Sequence, residues 1–95
     1  MKRYQSAIVA FNNLIKDFPG THYEEIARFY ILKSGYLLAI NSVLSKKEER
    51  IEDTIKSYIK FVDSFPASSK IKEAESIYEE TLKEKENIKK NNDGL

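Results

Sequence analysis

Few side chains in this sequence could do covalent chemistry, and their spacing limits them further. His22 is the sole histidine. A general base or a metal ligand needs a second group at working distance, and the sequence offers none, so His22 reads as a helix-end surface residue. Glu24-Glu25 and Glu79-Glu80 are adjacent carboxylates. Neighbours on a helix point about 100° apart, so neither pair closes on one atom. The absence of cysteine removes disulfides, thiolate nucleophiles and thiolate metal sites together. No H-E-x-x-H, glycine-rich phosphate loop or G-x-S-x-G occurs. The expectation is a chain that is not an enzyme, with no catalytic, metal or cofactor-binding residues. What remains suits non-covalent recognition. Lys46, Lys47 and Arg50 form a basic cluster, offset by Glu48, Glu49, Glu52 and Asp53. It is either a solvated corner or a contact for an acidic partner surface or lipid headgroups. Tyr36 and Tyr58 are expected to reach a groove, since tyrosine keeps its hydroxyl wet while its ring packs. With Asn41 they complete the candidate protein-binding set: Tyr36, Asn41, Lys46, Lys47, Arg50 and Tyr58.

Composition bounds the elements that must carry these residues. Ninety-five residues make one small domain or a piece of a larger protein. At 41% hydrophobic and 33% charged, the chain is too apolar for disorder and too charged for a membrane span. Sixteen Lys and Arg against fifteen Asp and Glu leave a charge of +1, so no field marks nucleic acid as a partner. The start, Met1-Lys2-Arg3-Tyr4, runs into an amphipathic pattern rather than a signal-peptide core. Three glycines and two prolines fall between long stretches of helix formers. An all-α fold is expected.

Periodicity gives four helices. Tyr4, Ala7, Ile8, Phe11, Leu14, Ile15 and Phe18 share one face, and Phe18-Pro19-Gly20 ends that helix. Thr21-His22-Tyr23-Glu24 has capping-box spacing and opens the second, expected from His22 to Val43 or Leu44. Helix two is apolar nearly all round and should lie between neighbours. Its mid-helix Gly35 suggests close approach of another backbone. Ser45-Lys46-Lys47-Glu48 is a second capping-box spacing, so a third helix should begin between Lys46 and Glu49 and end at Phe65-Pro66. Ser68 or Ser69 can cap a fourth, bearing Ile71, Ala74, Ile77, Tyr78, Thr81, Leu82 and Ile88. Glu79–Lys83 and Glu86–Lys90 would support it as i,i+4 pairs. The helical domain is set at 1–90, with a frayed tail at 91–95.

The sequence also repeats itself. A shift of 47 positions superposes Ala7 on Thr54, Ile8 on Ile55, Phe11 on Tyr58 and Leu14 on Phe61. It pairs Phe18-Pro19 with Phe65-Pro66, Thr21 with Ser68, and Ala27 with Ala74. Ala7, Phe11, Leu14, Pro19 and Thr54, Tyr58, Phe61, Pro66 have the steps found in the second helix of a tetratricopeptide (TPR) repeat. The period exceeds the TPR's 34 residues by about thirteen, so helix two and the Ser42–Glu49 region are longer than the standard unit. The expected architecture is TPR-like: antiparallel helical repeats, an α-solenoid fragment of about four helices. Helix one is then the second helix of a repeat without its partner. It should meet an upstream helix, or self-associate through its apolar face.

Tyr4-x-x-Ala7-Ile8-x-x-Phe11-x-x-Leu14-Ile15-x-x-Phe18-Pro19-x-Thr21, Tyr36-x-x-Ala39-x-Asn41-Ser42-Val43, Lys46-Lys47-x-Glu49-Arg50 and Phe65-Pro66-Ala67-Ser68 carry a resemblance. From about Tyr4 to Glu84 the chain resembles the C-terminal part of the BamD family, TPR lipoproteins of the outer-membrane β-barrel assembly machine. The resemblance implies a non-catalytic scaffold at the periplasmic face of the outer membrane, held by an N-terminal lipid anchor outside this chain. It implies as partners the POTRA domains of the barrel-forming protein, other assembly lipoproteins and nascent barrel proteins. Only the region carries over, since the matched positions are turn and packing positions. Two other readings stand beside it: another periplasmic TPR adaptor of the cell envelope, and a cytosolic helical interaction module or regulatory subdomain of an enzyme.

Overall fold

The computed structural model describes residues 2–93, apart from the side chains of 91–93, and contains four helices: α1 (Lys2–Asp17), α2 (His22–Ile40), α3 (Leu44–Ser64) and α4 (Ile71–Asp93). Among the described residues there is no strand. Consecutive helices run antiparallel. Phe18 meets Tyr23 and Phe11 meets Tyr30 across α1 and α2, while Tyr58 meets Tyr78 across α3 and α4.

α2 is the spine, as its all-round apolarity predicts: it packs on all three other helices, whereas α1 packs on α2 alone. The main core joins Phe29 and Leu32 of α2, Phe61 of α3 and Ala74 of α4. A second cluster, Ala39, Ile51 and Ile88, closes the other end of the three-helix contact. Ala27 and Ala74, equivalent under the 47-residue shift, are both fully buried. Gly35 does face a close neighbour: a Cβ there would lie 3.4 Å from Thr54 Oγ1. That is ordinary contact distance, so the approach admits a methyl but little more. Because α1 covers only one side of α2, the fold is an elongated slab of 48 × 28 × 14 Å. Its radius of gyration is 13.8 Å, against about 12 Å for a compact domain of this length.

The helix ends depart from expectation in informative ways. α2 stops at Ile40, before the expected Val43 or Leu44. Asn41 Nδ2 donates to Leu37 O (2.8 Å) and Ser42 Oγ to Leu38 O (2.5 Å). These side chains take the carbonyls that a further turn would have used. α3 consequently starts earlier than predicted, at Leu44, with Val43 as its extended N-cap and no side-chain cap. Ser45 is thus inside the first turn, and the second capping box does not form.

At Thr21 the box forms in shifted register. Thr21 Oγ1 donates back to Phe18 O (2.7 Å), and Glu24 Oε1 accepts from the backbone of Gly20 (3.0 Å). Gly20 is in the left-handed region, φ +74°, which glycine adopts without a Cβ clash. Ala67, which follows Pro66 as Gly20 follows Pro19, has no positive φ, so the two Phe-Pro turns differ in backbone.

On α4, Lys83 pairs with Glu80 at 3.2 Å rather than with Glu79. Among the described residues no Glu86–Lys90 ion pair forms. α4 continues through the Asn91-Asn92-Asp93 backbone. Gly94 and Leu95, the end of the expected tail, lie outside the described residues.

Candidate protein-interaction surface

α1 and α3 both lie on α2 without touching each other, and the gap between them is a groove of about 370 Å³. Leu38 forms its floor, Ile8 and Val9 one wall, and Lys46, Glu49, Arg50 and Asp53 the other. At its open end the α2–α3 corner exposes Val43 (66%) and Leu44 (62%) beside Asn41 and Lys46. Apolar side chains next to a cation and an amide make a surface suited to binding a partner segment. The apolar pattern of α2 predicts Val43 and Leu44 as part of a helix lying between neighbours. Their exposure follows from the early end of α2, which leaves them on a corner that no other helix covers.

The six candidate residues fall on two faces. Asn41, Lys46 and Arg50 lie at the corner and groove. Tyr36, Lys47 and Tyr58 lie on the side facing α4. Arg50 is four residues from Lys46 and three from Lys47, so helical spacing alone would hold all three on one side; their partners split the cluster, since Lys46 and Arg50 line the groove while Lys47 reaches α4. Lys47 Nζ pairs with Glu84 Oε2 at 3.0 Å, half-buried between α3 and α4. Arg50 Nη1 donates to Ser42 Oγ (2.7 Å), which itself donates to Leu38 O. Arg50 therefore places a cation at the carbonyl end of α2, whose own last turn carries no basic residue. Of the three, Lys46 alone is exposed.

Tyr58 stacks face to face on Tyr78, centroids 4.2 Å apart and planes 7° from parallel. Burial, then the charge of Glu75, Tyr78 and Glu79, raises its phenol above the ordinary value. Tyr36 is raised by burial and by Glu80 and Glu84. Both rings are packing residues between helices rather than groove linings. A second cleft, of about 530 Å³, opens where α3 and α4 diverge, over Ile51, Leu82 and Ile88 and edged by Glu48, Lys85, Glu86 and Lys89. Lys85 is tied across it to Glu52 at 2.8 Å, and that carboxylate raises the lysine's pKa.

Several other polar groups have structural partners. His22 is exposed, with Nδ1 3.9 Å from Glu25 Oε1. Glu24 is held below the usual carboxylate range by the Gly20 N–H and by Arg28, whose Nε donates at 2.7 Å. Glu25 accepts from Ser68 Oγ (2.7 Å), joining the start of α2 to the α3–α4 turn. The buried hydroxyls of Thr54 and Thr81 donate to the carbonyls of Arg50 and Ile77. Among the described residues no group of three His, Cys, Asp or Glu could hold a metal ion, and no helix is long and apolar enough to cross a membrane. No protein-family model matches the chain, and no curated protein matches it.

Proposed function

We propose that this chain is a non-catalytic, TPR-like scaffold that binds partner proteins in outer-membrane β-barrel assembly, as its likeness to the BamD family implies. One observation carries the scaffold reading. The helix pairs related by the 47-residue shift correspond: α1 packs on α2 as α3 packs on α4. The small, aromatic and Phe-Pro positions recur with them, and Ala27 and Ala74 are buried alike. A stack in which each unit meets only its neighbours leaves continuous grooves for partner segments, and the α1–α3 groove with its exposed corner is such a surface. In this reading the partners are POTRA domains, companion lipoproteins and nascent barrel strands. The location is the periplasmic face of the outer membrane.

The test is binding of purified POTRA domains, measured by calorimetry with the wild-type chain and with Val43→Asp and Lys46→Glu. Val43 and Lys46 are exposed, so both variants should keep the helical signal while weakening binding about tenfold or more. No binding by the wild type, or binding indifferent to both substitutions, overturns the reading. Retention of the full-length protein in the cytosol would favour a helical adaptor of another process.

A further inference from the structure

Comparison of α1 with its internal equivalent α3 shows which flank of α1 is uncovered. In α3, Thr54 and Phe61 are 1% and 0% exposed; Thr54 faces Gly35, and Phe61 meets Phe29 at 5.9 Å, both on α2. The equivalent residues of α1, Ala7 and Leu14, are only half-buried, and α1 has no buried residue. α1 turns its aromatic side to α2, where Phe11 stacks on Tyr30 at 5.5 Å as Tyr58 stacks on Tyr78. The flank that in α3 receives α2 therefore receives no helix of this chain in α1.

Along that flank, steps of four and three give Arg3, Ala7, Ala10, Leu14 and Asp17, the spacing of a two-helix seam. Alanines at the centre let helix axes close to the short end of the usual range, about 8 Å. The seam begins with a cation and ends with an anion, and neither is in an ion pair among the described residues. A parallel partner of the same sequence would set Arg3 against Arg3 and Asp17 against Asp17. An antiparallel one sets each Arg3 beside the other copy's Asp17 and each small Ala7 against the other copy's larger Leu14. The two-fold axis then passes beside Ala10. Lys16 falls on the far side of the helix and Lys2 on its outer flank, and both are exposed.

We propose that a second copy of this chain covers the flank, by antiparallel pairing of α1 with α1. The charge order and the small-against-large pairing make the surface complementary to itself, which identifies the occupant. The contact runs along one 16-residue helix, about 24 Å, so the dimer is weak and concentration-dependent. The pairing depends on α1 alone, and failure to bind POTRA domains would leave it standing.

The lack of cysteine makes the geometry directly testable. Ala10→Cys lies beside the two-fold axis, where the Cα atoms fall within the ~7 Å that a disulfide requires. Lys16→Cys points to the opposite side. Under mild oxidation at the concentrations used for NMR, A10C should cross-link to a dimer much faster than K16C, with unchanged helical content. Equal rates, or a strict monomer of 11.0 kDa for the wild type under the same conditions, overturn the proposal. Sedimentation equilibrium supplies the independent arm. Arg3→Asp should raise the dissociation constant about fivefold, because two ion pairs are lost per dimer, and R3D combined with D17R should restore it. An R3D variant that dimerises like wild type, or a double variant that stays weak, refutes the antiparallel seam. A dimer cross-linked through Ile59→Cys, at an exposed apolar position on α3, instead of A10C would do the same.

Discussion

Replacing Ser42 and Arg50 with alanine, singly and together, tests whether Arg50 is spent on the fold rather than on a partner. Arg50 Nη1 donates to Ser42 Oγ at 2.7 Å, Ser42 Oγ donates to Leu38 O, and both residues are half-buried. A hydrogen bond with a charged donor is worth about 1.5–3 kcal/mol net, and partial exposure brings that to about 1–2. The cation also opposes the negative end of the α2 dipole, adding about 0.3–1 kcal/mol. Arg50→Ala should therefore cost about 2 kcal/mol and Ser42→Ala about 1.5 kcal/mol. Each single change already removes the shared bond, so the double variant should cost about 2.5 kcal/mol, a coupling of about 1 kcal/mol. Urea unfolding followed by circular dichroism gives the three differences. In thermal melts, each kcal/mol is worth about 4–8 °C for a domain of this size. Additive effects, with coupling under about 0.3 kcal/mol, would refute the relay. So would an Arg50→Ala protein of wild-type stability that had lost partner binding.

Two further outcomes follow from the packing. Gly35→Ala should be neutral or stabilise by up to about 1 kcal/mol, because alanine favours the helix interior and its Cβ meets Thr54 Oγ1 at 3.4 Å. Gly35→Leu should destabilise by about 1–3 kcal/mol through overpacking, and a Leu variant as stable as the Ala variant would disprove close α2–α3 contact. The raised phenol of Tyr58 means the folded state holds that proton more tightly than the unfolded state. Its contribution is full below the unfolded value near pH 10 and is lost as pH rises through the higher folded value. Tyr58→Phe should flatten the loss of melting temperature on the alkaline side, leaving the part due to Tyr36, which is raised as well; equal slopes in wild type and variant would contradict the half-buried Tyr58–Tyr78 stack.

The elements themselves were legible in the sequence. The apolar period of α1 and α3, the Phe-Pro stops and the all-round apolarity of α2 name four helices and their spine. The repeat also marked positions that behave alike, Ala27 with Ala74 and Phe11 with Tyr58. Legibility failed where two local preferences competed. Ser45-x-x-Glu48 has the spacing of a cap, yet Asn41 and Ser42 had already drawn off the last carbonyls of α2, and the corner moved toward the N-terminus. The candidate site was legible only in part. Asn41 and Lys46 are exposed at the corner, but their neighbours Val43 and Leu44 look like core residues until the corner is seen to be uncovered.

The sequence alone determined which segments are helices and where proline and glycine end them, because those preferences act between residues a turn or two apart. It also determined the absence of thiols and the presence of a single imidazole. The tertiary structure decided which face of each helix is covered. Lys46, Lys47 and Arg50 are one cluster in the chain. In the fold they are an exposed cation, a bridge to Glu84 on α4, and a cap for α2. Tyr36 and Tyr58 face α4 rather than a groove for the same reason. The partners that fix these side chains lie far away in the chain, 37 residues on at Glu84 for Lys47, and their energies exist only once the helices have packed.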